Sequence, residues 1–145
     1  MRSWKNSKQI IETTISMCLR YFGLTVDVKY SFSDLGGDLA FCTDFDSGEY
    51  EIELDSTFVK YSTERELVEI VSHEMVHVKQ HEYDGLHLEV NSMYYRGQFY
   101  DEEVEGYWFL PWEVEARGYE RAFWALYCEK WETYADLYRN DSISG

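Results

Sequence analysis

The stretch Ser72-His73-Glu74-Met75-Val76-His77 decides how the rest of the sequence is interpreted. It has the pattern His-Glu-x-x-His, and residues four apart lie on one face of an α-helix. Two imidazoles at that spacing can bind a single zinc ion, and Glu74 would then stand beside the water that the metal holds. The six residues therefore predict a helix that carries a metal site.

A long helix is predicted around this motif. Thr63-Glu64-Arg65-Glu66 fits a capping box at its start, and Gly85 follows as a stop signal after about Asp84. One side of the helix is apolar and the neighbouring side carries histidines, which places the motif at the boundary between core and cleft. The apolar side has Leu67, Val71, Met75 and Val78, and the neighbouring side has Ile70, His73, His77 and His81.

The residues before the motif predict one helix followed by a small sheet. Apolar residues recur at helical spacing from Ser3 to about Tyr21, and Gly23 is placed to end that helix. Alternating patterns then predict strands over residues 24–30, 39–45 and 49–55. The third strand would point apolar side chains at the core and a row of glutamates outward, either to solvent or to a substrate.

The residues after the motif predict a hairpin and a last helix. Arg96-Gly97 suits the turn of a short hairpin, and an acidic loop follows over residues 101–106. Pro111 suits the first turn of a final helix that should run to about Arg139. The predicted fold is α+β: a single domain over residues 1–145, with an N-terminal helix, a small mainly antiparallel sheet, the motif helix and a long C-terminal helix.

The amino-acid composition limits the classes of binding partner and the cell compartment that we expect. The chain has 145 residues with 13 basic and 28 acidic side chains, giving a net charge of -15, which disfavours nucleic acid and anionic membranes and favours basic partners. Cys18, Cys42 and Cys128 are expected to be buried thiols in a reducing compartment. Neither a signal peptide nor an apolar run of membrane length is apparent, so a cytoplasmic location is expected. Oligomeric state is left open.

A catalytic zinc site needs a third protein ligand. His81 lies about 12 Å along the helix axis from His73, too far to share one ion. In Pro111-Trp112-Glu113-Val114-Glu115 both glutamates are candidates, and Glu115 is preferred because it lies on the helical line of Tyr119, the expected inward side. Glu113 and His87 remain alternatives.

The run HEMVHVKQ and the later run PWEVEA together resemble the gluzincin branch of the zincin metallopeptidases. They are also similar to small phage-type metallopeptidases and to the ImmA/IrrE-like peptidases, over roughly residues 62–128. The resemblance implies a zincin-like fold, zinc and peptide-bond hydrolysis in a bacterial or phage-infected cell. By position it makes His73 and His77 ligands, Glu74 the general base and Glu115 the third ligand. The Asn-Glu-x-x-Ser-Asp element of larger gluzincins is absent.

The expected function is therefore a zinc metallopeptidase in which Glu74 takes a proton from water and passes it to the leaving amine. A donor to the developing oxyanion is still required, and Tyr119, Tyr95, Tyr107 or His87 could supply it. Tyr119 is our prediction for that role. If the acidic third strand forms a substrate-binding edge, its glutamates should favour peptides rich in Lys and Arg.

A competing interpretation involves no catalysis. The net charge would suit an acidic inhibitor that mimics nucleic acid and binds the basic groove of a partner protein. Such a protein needs no metal, so metal content distinguishes the two functions.

Overall fold

The computed structural model describes residues 1–89, 92–135 and 137–138. The chain is α+β, as predicted. Its helices are α1 (Trp4–Phe22), α2 (Ser56–Tyr61), α3 (Glu64–Tyr83), α4 (Glu102–Glu105) and α5 (Pro111–Tyr134), with a 3₁₀ turn at Tyr107–Phe109. Its strands are β1 (Asp27–Ser33), β2 (Ala40–Asp44), β3 (Glu49–Asp55), β4 (His87–Glu89), β5 (Ser92–Tyr95) and β6 (Gln98–Tyr100).

The motif helix α3 begins and ends where the sequence predicts. Thr63 accepts a hydrogen bond from the Glu66 backbone N–H at 3.1 Å, and the Glu66 carboxylate accepts one from the Thr63 N–H at 2.8 Å. This is the predicted capping box, which satisfies two N–H groups at the start of the helix. Gly85 follows the last turn with φ of +67°, a conformation that glycine adopts without strain.

The first sheet is mixed, whereas the sequence predicts a mainly antiparallel one. Its strand order is β1-β3-β2, with β1 parallel and β2 antiparallel to β3. The first strand also begins at Asp27 and not at Leu24, because the Leu24 N–H caps α1 by donating to Leu19 O at 2.9 Å. A second sheet, β4-β5-β6, is antiparallel throughout.

The central position of β3 shows that this acidic strand does not form a substrate-binding edge, although the sequence suggests that it could. Tyr50, Ile52 and Leu54 of β3 are buried, as predicted, so its glutamates lie on the opposite face of the sheet. Both neighbours of β3 are occupied by strands, so β3 is not an edge and cannot receive an added strand. Among the described residues β2 pairs with β3 alone, so it has an open edge, and it packs beside the motif helix.

The inner face of the first sheet shares one apolar core with three helices. Helices α1, α3 and α5 pack against one another, and their core includes fully buried aliphatic residues from each element. These include Ile11, Ile15, Leu67, Val71, Met75 and Ala116. Burial of the apolar side chains between these helices is the main force that fixes α5 beside the motif helix.

The region after α3 agrees with the predicted hairpin but not with the predicted loop. Arg96 and Gly97 both have positive φ, at 53° and 81°, which makes the turn between β5 and β6. The acidic segment is partly helical, because Asp101 caps the short helix α4 by accepting from Glu103 N. Helix α5 ends at Tyr134, and the predicted end at Arg139 lies outside the described residues.

The cysteines are less buried than the sequence suggests. All three are free, but only Cys18 is buried, while Cys42 is half-buried and Cys128 is exposed on α5. Among the described helices, none is both long and apolar enough to cross a bilayer.

Candidate metal centre

His73 and His77 lie side by side on the buried face of α3. Both side chains are almost fully buried, and their ring centroids are 4.9 Å apart. The Nδ1 atom of His73 contacts Glu120 Oε2 at 2.7 Å, and that of His77 contacts Gln80 Oε1 at 2.7 Å. Because the Nδ1 atom of each ring contacts a supporting side chain, the Nε2 atoms of both rings face the same side of the site.

Glu113 meets both Nε2 atoms. Its Oε1 lies 3.0 Å from His73 Nε2, and its Oε2 lies 3.3 Å from His77 Nε2. Pro111 starts α5 two residues before Glu113, and the buried Trp112 between them fixes this first turn against the second sheet. Glu113 is itself buried, so its carboxylate interacts with the two imidazoles instead of with water.

Glu115, the ligand preferred from the sequence, is elsewhere. Its carboxylate accepts from Gln80 Nε2 at 2.8 Å and from the Tyr95 hydroxyl at 3.1 Å, and it lies 3.4 Å from Lys79 Nζ. Two residues along a helix correspond to a rotation of about 200°, so Glu113 and Glu115 cannot face the same point. The structure brings Glu113, and not Glu115, to the histidines.

The alternative ligand His87 is also away from the centre. It is exposed on β4, and its Nε2 contacts Glu89 at 2.7 Å. His81 does line the same cavity as the motif, although its Nδ1 is engaged by the Leu86 carbonyl at 3.0 Å.

The donor set fits a divalent metal. One ligand atom from each of His73, Glu74 and His77 lies within 4.8 Å of the others, a grouping that could hold a metal ion. Glu113 adds a carboxylate to the two Nε2 lone pairs, and converging acceptors repel one another unless a cation or protons lie between them. Tetrahedral zinc with bonds of 2.0–2.1 Å separates neighbouring ligand atoms by about 3.3 Å, close to the distances between Glu113 and the two rings.

Without a metal ion, protons would lie between the Glu113 carboxylate and the two Nε2 atoms. Burial alone would lower the pKa of His73, but its hydrogen bonds with Glu113 and Glu120 outweigh this effect and raise the pKa to about 9. Burial alone would raise the pKa of Glu113, but its hydrogen bonds with His73 and His77 hold it well below the usual range. The pocket is therefore built to compensate a positive charge at this point.

Glu74 and Tyr107 complete the site. A cavity of about 380 Å³ opens beside the histidines, and both side chains line it together with residues of β2. Burial raises the pKa of Glu74, an effect that the neighbouring histidines oppose. The Tyr107 hydroxyl donates to Glu113 Oε1 at 3.2 Å, and burial together with Glu113 raises its pKa to about 12, so it remains a donor at neutral pH.

Tyr119, the predicted oxyanion donor, belongs to a different cluster. Its ring stacks on Phe123 with centroids 5.5 Å apart and meets Phe22 of α1 edge-on at 5.3 Å. The structure therefore places Tyr119 in the packing between α1 and α5. The Tyr95 hydroxyl donates to Glu115, and Tyr95 is not among the residues that line the cavity beside the histidines. Of the candidate tyrosines, Tyr107 is the one in the cleft.

Comparison with models of known protein families, with curated proteins and with solved structures found no match. The resemblance to gluzincins therefore stays a prediction based on two short motifs. The functional interpretation depends on the residues of the centre themselves.

Sequence reasoning missed two groups that support the histidines. Glu120 could have been found from Glu113, because residues seven apart return to the same helix face after two turns. Gln80 lies three residues after His77, a spacing that also allows contact along a helix. Glu120 could not be placed until the correct glutamate on α5 was known, whereas the spacing from His77 alone makes Gln80 a candidate.

Proposed function

We propose that the chain is a zinc-dependent metallopeptidase in which His73, His77 and Glu113 hold the metal. The observation that carries this proposal is the convergence of two Nε2 atoms and one buried carboxylate beside Glu74, inside a cleft. A purely structural zinc site commonly has four protein ligands and no adjacent base. Here three ligands leave room for substrate, and a buried carboxylate stands next to them.

Bound zinc would polarise the scissile carbonyl and lower the pKa of water at the open position. Glu74 would accept a proton from the attacking water as the C–O bond forms at the carbonyl carbon. When the C–N bond breaks, Glu74 returns the proton to the leaving amine, so protons balance over the cycle. Tyr107, whose hydroxyl donates to Glu113 in this structure, would turn from Glu113 to donate to the oxygen on which negative charge develops.

The open edge of β2 is the place where a substrate peptide would bind. Ala40, Phe41 and Cys42 of this strand line the same cavity as the histidines, and within the described residues β2 pairs on one side only. An extended peptide could add to that edge through main-chain hydrogen bonds. The preference for basic peptides now depends on the net charge of -15 and not on the glutamates of β3.

The direct test is to measure zinc and peptidase activity together. Purified protein should contain about one zinc per chain by mass spectrometry, as a single three-ligand centre requires, and should cleave members of a mixed peptide library. A chelator should stop cleavage, and added zinc should restore it. Failure to bind zinc even after its addition would remove the peptidase proposal and favour the acidic inhibitor that mimics nucleic acid.

Tyr107→Phe is expected to lower kcat by about 10²–10³, the usual effect of removing one oxyanion donor. Its zinc content should be unchanged, because the hydroxyl contacts Glu113 but is not needed to hold the metal. Steady-state kinetics on a cleaved library peptide would measure the change. Tyr119→Phe is the matched control and should retain the wild-type rate; the reverse result would return the donor role to Tyr119.

A further inference from the structure

The side chain of Gln80 is completely buried, and every one of its hydrogen-bonding groups has a partner. Its Nε2 donates to the Trp112 carbonyl at 2.9 Å and to Glu115 Oε1 at 2.8 Å. A carbonyl and a carboxylate can only accept, so the NH₂ group must be the end that faces them. The two acceptors therefore fix the orientation of the amide.

This orientation determines the tautomer of His77. The remaining atom of the amide, Gln80 Oε1, faces His77 Nδ1 at 2.7 Å and can only accept. His77 must therefore carry a proton on Nδ1, so when a metal ion replaces the proton between Nε2 and Glu113, the lone pair of Nε2 faces that ion. Metal binding requires that tautomer, since the ring nitrogen that binds the ion must be unprotonated.

Glu115 is in turn held in place from several directions. Lys79 Nζ lies 3.4 Å from Oε1, and the Tyr95 hydroxyl donates to the same oxygen at 3.1 Å. Arg96 of the hairpin turn approaches Oε2 at 3.6 Å. A half-buried carboxylate with these partners is a fixed acceptor for the Gln80 amide, although it does not reach the metal centre.

We propose that Gln80 and Glu115 are positioning residues for the metal centre: Glu115 orients the Gln80 amide, and Gln80 holds His77 as the Nδ1–H tautomer. This inference rests on the proposed zinc site and deepens it. It also gives a role to the glutamate that the sequence suggested as a ligand. Glu120 plays the corresponding part for His73 by contacting its Nδ1.

Zinc affinity, measured by competition with a chelator, tests the proposal. Gln80→Met keeps the length of the side chain but removes the amide, and it should weaken zinc binding by about 10- to 100-fold, the usual range for groups that support a ligand. Glu115→Ala should weaken binding by up to about tenfold, because the Trp112 carbonyl still holds part of the amide. Glu129→Ala, on the exposed side of α5, is the control and should bind as wild type does.

The double variant separates a linked pair from two independent effects. If Glu115 acts through Gln80, adding Glu115→Ala to Gln80→Met should cause no further loss of zinc affinity, whereas independent effects would multiply. The Glu115 side chain is 25% exposed, so Glu115→Ala remains informative should Gln80→Met fail to fold.

A spectroscopic measurement distinguishes this role from general stabilisation. In zinc-loaded wild type, nitrogen-edited NMR should show the Nδ1–H protons of both His73 and His77 protected from exchange with water. Gln80→Met should lose protection at His77 alone, because His73 keeps Glu120. Unchanged affinity in both single variants, multiplying losses in the double variant, or equal protection of His77 in Gln80→Met would overturn the inference. A wild type that binds no zinc would instead overturn the proposed function beneath it.

Discussion

Glu74→Gln is expected to lower kcat for peptide hydrolysis by about 10²–10⁴, the range that a general base contributes. The amide has nearly the same shape as the carboxylate but cannot accept the proton of the attacking water. Zinc should remain bound, because His73, His77 and Glu113 supply the ligands. Kinetics on a library peptide and zinc content by mass spectrometry would be measured on the same preparation.

Glu69→Gln provides the control for that experiment. Glu69 lies on the same helix and pairs with Arg65 at 3.2 Å on the surface, an interaction worth little to stability. Its loss should leave both zinc and turnover as in wild type. Turnover at the wild-type rate in Glu74→Gln would eliminate the proposed mechanism even if zinc is bound.

Glu113→Ala is expected to weaken zinc binding by more than about 100-fold, since supporting residues alone account for 10- to 100-fold. The change removes one of the three ligands. The two remaining imidazoles then lack the carboxylate that balances the positive charge of the ion. Glu115→Ala is the matched variant, with the same side chain removed two residues away, and its loss should be at least tenfold smaller. Chelator competition on both proteins would give the ratio.

His77→Ala serves as the positive control, because every version of the site requires this imidazole. Its zinc affinity should fall at least as far as that of Glu113→Ala. A larger loss in Glu115→Ala than in Glu113→Ala would mean that the metal-bound protein uses the glutamate first preferred from the sequence. It would also contradict the arrangement in which Glu113 meets both Nε2 atoms.

Features that depend on neighbouring residues were predictable from the sequence. The capping box at Thr63 and the glycine after α3 fix the limits of the motif helix through local hydrogen bonds and backbone freedom. The alternation in β3 predicts which of its side chains are buried, because successive side chains point to opposite faces. The hairpin turn at Arg96-Gly97 follows from the same kind of local preference.

The sequence by itself also determined that two histidines share one helix face, because a spacing of four is a property of the helix alone. Only the tertiary structure decided which glutamate meets them. Residues 113 and 115 are both plausible on a helical wheel, and the choice depends on how α5 is rotated against α3 by the packing of Trp112 and Ala116. Tyr107 lies in the cleft, whereas Tyr119 packs on Phe123 away from it. Among the described residues, β1 and β2 occupy the two sides of β3, so β2 keeps an open edge beside the centre.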